Sequence, residues 1–262
     1  MEKNKRDWKQ VRNAFVMVCV AVAMLSTATY AWFTLTNQPS LTGMELTAGT
    51  TSGLQISLDG SDWNSTVALP TGEKTLVPVS PTGSAVFGKP VYAANKVTGV
   101  ETLSDTDATS KYLAKYKFYL KAVGDGTVNV CLLGGTGSDA TGSFVKRNTA
   151  GSGILQAADT IRIGFKTTSD WKIFEPNANA NNNGSGKKAD TDMPEIKGNM
   201  RENTDGTFIE TSSKTSGTVF TITGGSKQEI DMYVWIEGTD KDCVDEIQTD
   251  KLIGQLQFTV AE

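Results

Sequence analysis

The sequence predicts an all-β protein, a jelly-roll-like antiparallel sandwich preceded by an N-terminal apolar helix, and three observations carry that expectation. Apolar and polar side chains alternate with a period of two in segment after segment, the pattern of strands with one buried and one wet face. Glycine and aspartate clusters, "DGTV" at 125–128, "GGTGSDATGS" at 134–143 and "TGG" at 223–225, separate those segments and supply turns that need relaxed backbone angles. Beyond the first 25 residues no segment repeats at three- and four-residue spacing, so the crossover helices of an α/β fold are missing.

The amino-terminal element is of a different kind. Lys3, Lys5, Arg6, Lys9 and Arg12 outnumber Glu2 and Asp7, and "AFVMVCVAVAML" at Ala14–Leu25 follows without a charge or an amide. A spanning helix needs about twenty apolar residues. A basic head, a short apolar core and a small-residue exit are instead the layout of an export signal. Cleavage fits after Ala28 or after Ala31, with Thr29, Tyr30 and Ala31 as the preferred recognition step. Domain boundaries follow: a signal peptide at 1–31 and a jelly-roll domain at 32–262. If the segment is retained, it becomes a membrane anchor with its amino terminus in the cytoplasm. Both outcomes place the rest of the chain outside the cytoplasm, extracellular or at the cell surface.

Strands are expected in turn at 41–47, 53–58 and 73–79, then along "KYLAKYKFYLKA". There Tyr112, Ala114, Tyr116, Phe118, Leu120 and Ala122 share one face, and Lys111, Lys115, Lys117 and Lys121 the other. "TVNVCLL" groups Val128, Val130 and Leu132, and "TIRIGFK" groups Ile161, Ile163 and Phe165. After short candidates at 207–210 and 218–223, "EIDMYVWIE" aligns Ile230, Met232, Val234 and Ile236 against Tyr233 and Trp235. The closing "KLIGQLQFTV" sets Leu252, Leu256, Phe258 and Val260 opposite Ile253, Gln255, Gln257 and Thr259. About ten strands at this spacing describe a sandwich or jelly roll. Asn177–Gly206 is polar, rich in asparagine and glycine, and lacks a run able to bury itself, so it reads as a flexible insertion loop.

Composition excludes more chemistry than it suggests. The net charge is −4, and the basic head leaves the rest more acidic still, with no basic stripe for nucleic acid. Histidine is absent, which removes Ser-His-Asp and Cys-His nucleophiles and histidine-based zinc centres. The expectation is a non-enzyme without cofactor, a carbohydrate-active or hydrolytic enzyme on a sandwich scaffold ranking last. The densest acidic cluster, Glu237, Asp240, Asp242, Asp245 and Glu246, reads as a solvated turn, with a weak cation site as the alternative; the spacing and glycine of a full calcium loop are missing. Cys131 and Cys243 are the two cysteines beyond the signal, either one disulfide or two thiols. "LPTGE" at Leu69–Glu73 lacks a residue of the wall-sorting pattern and its apolar tail, so covalent wall attachment is not expected.

Cleavage after Ala31 would leave Trp32, Phe33, Thr34, Leu35, Thr36 and Asn37 as the first residues of the mature chain, an apolar, β-prone end. Such an end either tucks into its own sandwich, stays disordered, or pairs with the open sheet edge of a neighbour. Repeated head to tail, the last contact does not close and yields a fibre.

"TYAWFTLTN", with "LTGMELTAGT" behind it and "MYVWIEGTDKDC" near the end, resembles the exported fibre and surface proteins of Gram-positive bacteria related to the biofilm matrix protein TasA and to camelysin. The match covers roughly residues 1–60 and 229–262. The resemblance implies a jelly-roll domain, removal of the signal by a dedicated signal peptidase, and self-association in which Trp32–Asn37 is the donor strand, with cell-envelope or matrix components as further partners. The chain departs from the pattern in Trp32, where TasA has alanine, in its cysteines and in its long insertion. The metalloprotease activity associated with camelysin-type proteins is not expected in a chain without histidine. The expected role is a structural secreted surface or biofilm-matrix protein, the alternative a membrane-anchored monomeric adhesion or surface-display module.

Overall fold

The computed structural model describes residue 17 and residues 38–48, 53–70, 72–93, 96–132, 143–147, 157–169, 171–174, 218–238, 243 and 250–260. The chain divides into two units, Met1–Asn37 and Gln38–Glu262. The expected signal and donor segments, the insertion at 177–206 and the strand at 207–210 lie outside the described residues, Met17 apart.

In the second unit the alternating segments form strands, in chain order β1 (Ser40–Ala48), β2 (Leu54–Ser57), β3 (Thr66–Ala68), β4 (Lys74–Thr75), β5 (Ser80–Gly83), β6 (Val86–Ala93) and β7 (Lys96–Thr102). They continue as β8 (Ala114–Ala122), β9 (Thr127–Leu132), β10 (Phe144–Arg147), β11 (Ile161–Lys166), β12 (Trp171–Phe174), β13 (Thr218–Thr223), β14 (Lys227–Ile236) and β15 (Lys251–Val260). One sheet runs β13-β9-β15-β1-β3, with β10 also on β15 and β4 on β1; a second runs β12-β11-β14-β8-β2; a third is the meander β5-β6-β7. The arrangement is a β-sandwich, but not wholly antiparallel. β1 pairs in parallel with β15, from Ser40 opposite Lys251 to Ala48 opposite Phe258.

The first two sheets face each other across one apolar core. Leu46, Leu256 and Phe258 from the first meet Ile56, Phe118, Ile163, Phe165 and Val234 from the second. Phe258 is the junction, with ring centroids 5.6 Å from Phe118, 5.9 Å from Phe165 and 6.2 Å from Phe220. Edge-to-face and tilted rings at these spacings hold more than their buried area alone. Leu69 of "LPTGE" is part of the same core, its N–H donating to Met44 O at 3.0 Å.

The second sheet has another cluster behind it. Tyr233 and Trp235 of β14 point away from the first core and pack with Trp171, Ile173, Leu113, Val79 and Phe87, the last carried on β6. β14 is therefore buried on both faces over its second half. Trp171 lies against Gly164, where an added Cβ would sit 2.3 Å from the indole Cη2.

Two expected strands are shorter than their patterns. The strand along "KYLAKYKFYLKA" begins at Ala114, because Asp105–Asp107 form a helical turn that continues into a π-helical turn at Ala108–Tyr112. Ser104 caps it, its Oγ accepting from the Asp107 N–H at 3.1 Å, and Lys111 pairs with Asp107 at 2.7 Å instead of facing solvent from a strand. At 73–79 only Lys74–Thr75 is a strand, and Val79 makes a lone parallel bridge to Glu237. Glu73 instead clamps the start of β1, accepting from Ser40 Oγ at 2.7 Å and lying 3.3 Å from Lys251 Nζ.

Gly164→Ala should destabilise the domain by about 1–3 kcal/mol through displacement of Trp171, although alanine ordinarily suits a strand better than glycine; a urea midpoint equal to wild type would refute that packing. The Ser40 hydroxyl, then Lys251, hold the Glu73 carboxyl below its ordinary value of 4.5. A depressed carboxylate stabilises above its unfolded pKa and loses that contribution as pH falls through its folded one. The difference in urea midpoint between wild type and Glu73→Gln should therefore be complete near neutrality and shrink below pH 4.5; a difference unchanged down to the acid limit would contradict the clamp.

Candidate functional site

The back of the second sheet is divided. Its upper half is dry, under the β5-β6-β7 meander, and its lower half is wet.

The dry half ends in a polar knot around Glu237. Strand parity carries Trp235 and Glu237 to one face, and Glu237 has no exposed surface. Trp235 Nε1 donates to Glu237 Oε2 at 3.1 Å, and Ser80 Oγ of β5 donates to Oε1. The backbone repeats the link: Val79 N–H donates to Ile236 O and Gly238 N–H to Val79 O, each at 3.0 Å. Arg162, also fully buried, stands directly opposite Trp235 on β11 and donates from Nη1 to Ile161 O at 3.0 Å. A buried acid of this kind is tolerated because hydrogen bonds replace its lost hydration. The knot fastens the meander to the sandwich. Glu237 is thus a correction to the solvated acidic turn expected from sequence; Asp240, Asp242, Asp245 and Glu246 lie outside the described residues.

The wet half is built by β2, β8 and β14. Register places Gln55, Lys121 and Lys227 in one row, Ser57, Tyr119 and Glu229 in the next, and Lys117 beside Asp231 in a third. Glu229 accepts from Lys117 Nζ at 2.6 Å and from the Tyr119 hydroxyl at 2.9 Å. Those bonds hold the Glu229 carboxyl low, and the same carboxylate raises the tyrosine pKa. Lys115 is 3.4 Å from Asp231 and lies over the Tyr233 ring at 5.0 Å. Burial works against the Lys115 ammonium, but Tyr233 and Asp231 outweigh it and raise its pKa.

Lys121 and Lys227 are differently placed. They face each other directly across β8 and β14, an arrangement that repels like charges. Each ammonium lies on an aromatic ring, Lys121 at 4.4 Å from the Trp63 centroid and Lys227 at 5.5 Å from that of Tyr119. Trp63 is carried by the turn after β2. Asp59 orders that turn, its carboxylate accepting the N–H groups of Asp62 and Ser61 and the Ser57 hydroxyl, which holds its pKa far below the usual range.

Of the sequence-predicted site residues, Cys131 is buried on β9 and Cys243 is half-buried against the main core. Thr29–Asn37 fall outside the described residues. Among the described residues no three acidic or cysteine side chains gather into a metal site, and no helix is long and apolar enough to cross a membrane. Comparison with protein-family models, curated proteins and solved structures finds no match. The lysine–aromatic face was visible only as alternating lysines at 111–121. Trp63 and Lys227, far away in the chain, carry no sequence mark tying them to it.

Glu237→Ala should lower stability by about 1–3 kcal/mol for each buried donor it strands. Near-ultraviolet circular dichroism of the Trp235 environment and a urea titration check this. A variant as stable as wild type would show that the knot does not fasten the meander.

Proposed function

We propose that the protein is a structural component of the cell surface or biofilm matrix, secreted and able to polymerise by donating Trp32–Asn37 to a neighbouring copy. In this reading the apolar helix and basic head form the export signal, signal peptidase cuts after Ala31, and the exported body is a jelly roll without enzymatic activity. The observation that carries it is the division of the chain between Asn37 and Gln38, directly ahead of β1. β1 is an interior strand of its sheet, beside β15, so the chain enters the sandwich from a fixed point and the segment before it is a separate unit. Among the described residues the first sheet ends at β13 and β3 and the second at β12 and β2, where Ile56 of β2 exchanges backbone hydrogen bonds with Asn64. An extended, apolar segment gains backbone hydrogen bonds by adding to such an edge.

Mass measurement of the exported protein should give Trp32 as its first residue, and electron microscopy should show fibres that vanish when Trp32–Asn37 are deleted. An intact Met1 would favour the membrane-anchored display module instead. Fibres of the deletion variant indistinguishable from wild type would rule out strand donation.

A further inference from the structure

The wet half of the second sheet is chemically uneven, and the unevenness points to a ligand. Lys117 is neutralised by Glu229 and Lys115 by Asp231. Lys121 and Lys227, one row away, have no carboxylate within ion-pair distance among the described residues, yet they are directly opposed. Lys227 donates to Gly60 O at 3.3 Å, and Lys121 has Trp63 beneath it. In the turn beside them, the Asp59 carboxylate is committed to Ser57, Ser61 and Asp62. In a chain of net charge −4 this is a directly opposed pair of cations, neither in an ion pair, with Glu229 acting on Lys227 only at longer range, and both are held against half-exposed rings. A bound anionic group relieves their mutual repulsion, and a ring-shaped apolar surface next to that anion packs on Trp63.

We propose that Gln55, Trp63, Tyr119, Lys121 and Lys227 bind an acidic polysaccharide, a carboxylate of a uronate residue bridging the two ammoniums and the C–H face of a pyranose lying on the indole. The Gln55 amide, in register with Lys121, is placed to bond a sugar hydroxyl. Single-stranded nucleic acid also uses lysines and stacking rings, but a backbone with a charge on every nucleotide needs a longer basic track than two cations flanked by neutralised rows. The site is independent of strand donation, since none of its residues lies in Trp32–Asn37.

Native gel electrophoresis of the full-length protein through gels containing polygalacturonate, dextran or a thymidine oligonucleotide tests the assignment. Polygalacturonate alone should retard the protein, and added salt should weaken the retardation. Lys121→Gln with Lys227→Gln should weaken it by roughly tenfold. Lys115→Gln with Lys117→Gln, which removes the same charge from the same face, should leave it near wild type. Trp63→Ala should weaken it while thermal unfolding of the lysine variants stays at the wild-type midpoint. Equal losses in the two lysine doubles would reduce the effect to bulk charge and overturn the proposal. Full retardation of Trp63→Ala, absence of retardation by polygalacturonate, or equal retardation by the oligonucleotide would overturn it as well.

Discussion

The double burial of β14 is the constraint on which the rest of the domain depends. A strand with Ile230, Met232, Val234 and Ile236 on one side and Tyr233 and Trp235 on the other cannot sit at the surface of a two-layer sandwich. It requires a third layer. The β5-β6-β7 meander supplies Phe87, whose ring centroid is 5.1 Å from that of Trp235, and β12 supplies Trp171 at 5.6 Å from Tyr233. Gly164 is the counterpart of that packing, since only a residue without a side chain lets the Trp171 indole approach the sheet. The Glu237 knot then sets where the third layer stops sliding, because a hydrogen-bonded acid has direction where apolar contact has none.

The same third layer decides which part of the sheet is available for recognition. It covers the end of the back face that holds Trp235 and Glu237 and leaves the end with Lys121 and Lys227 in water. The wet end rests on the main core through Phe118, Leu120 and Ile230, so its lysines and rings stand on a stiff support. A binding surface on such a support loses little freedom when it is occupied. The proposed donation of Trp32–Asn37 and the proposed binding at the lysine–aromatic face involve different residues.

Much of the sandwich was legible because a half-buried strand writes its parity into the sequence. Phe118, Leu120 and Ala122 on β8, and Leu252, Leu256 and Phe258 on β15, fall on the predicted face. The meander was not legible. "VFGKPVYA" contains Gly88 and Pro90, residues that argue against a strand, yet β6 accepts both: Pro90 sits opposite Val100, and Gly88 admits β7 so closely that an added Cβ would lie 2.3 Å from Val100 Cγ1. The start of β8 was read three residues early because Lys111 and Tyr112 continue the alternation while Ser104 and Asp107 commit the preceding backbone to a helical turn. Glu237 was assigned to water by the company of four nearby acids; its parity puts it with Tyr233 and Trp235, a face that the alternation left opposite the aliphatic one and that only the meander buries.

By itself the sequence determined the class of the body and the inward face of its longest strands, because those depend on alternation within one segment. It also determined that histidine chemistry is absent. Tertiary structure decided what depends on distant segments meeting: the parallel seam of β1 with β15, the covering of Tyr233 and Trp235, and the bonding of Ser80 to Glu237. It also decided the meeting of Trp63, Lys121 and Lys227 on one patch. Strand order and sheet register are set by which apolar faces bury one another, and no local pattern of residues records that choice.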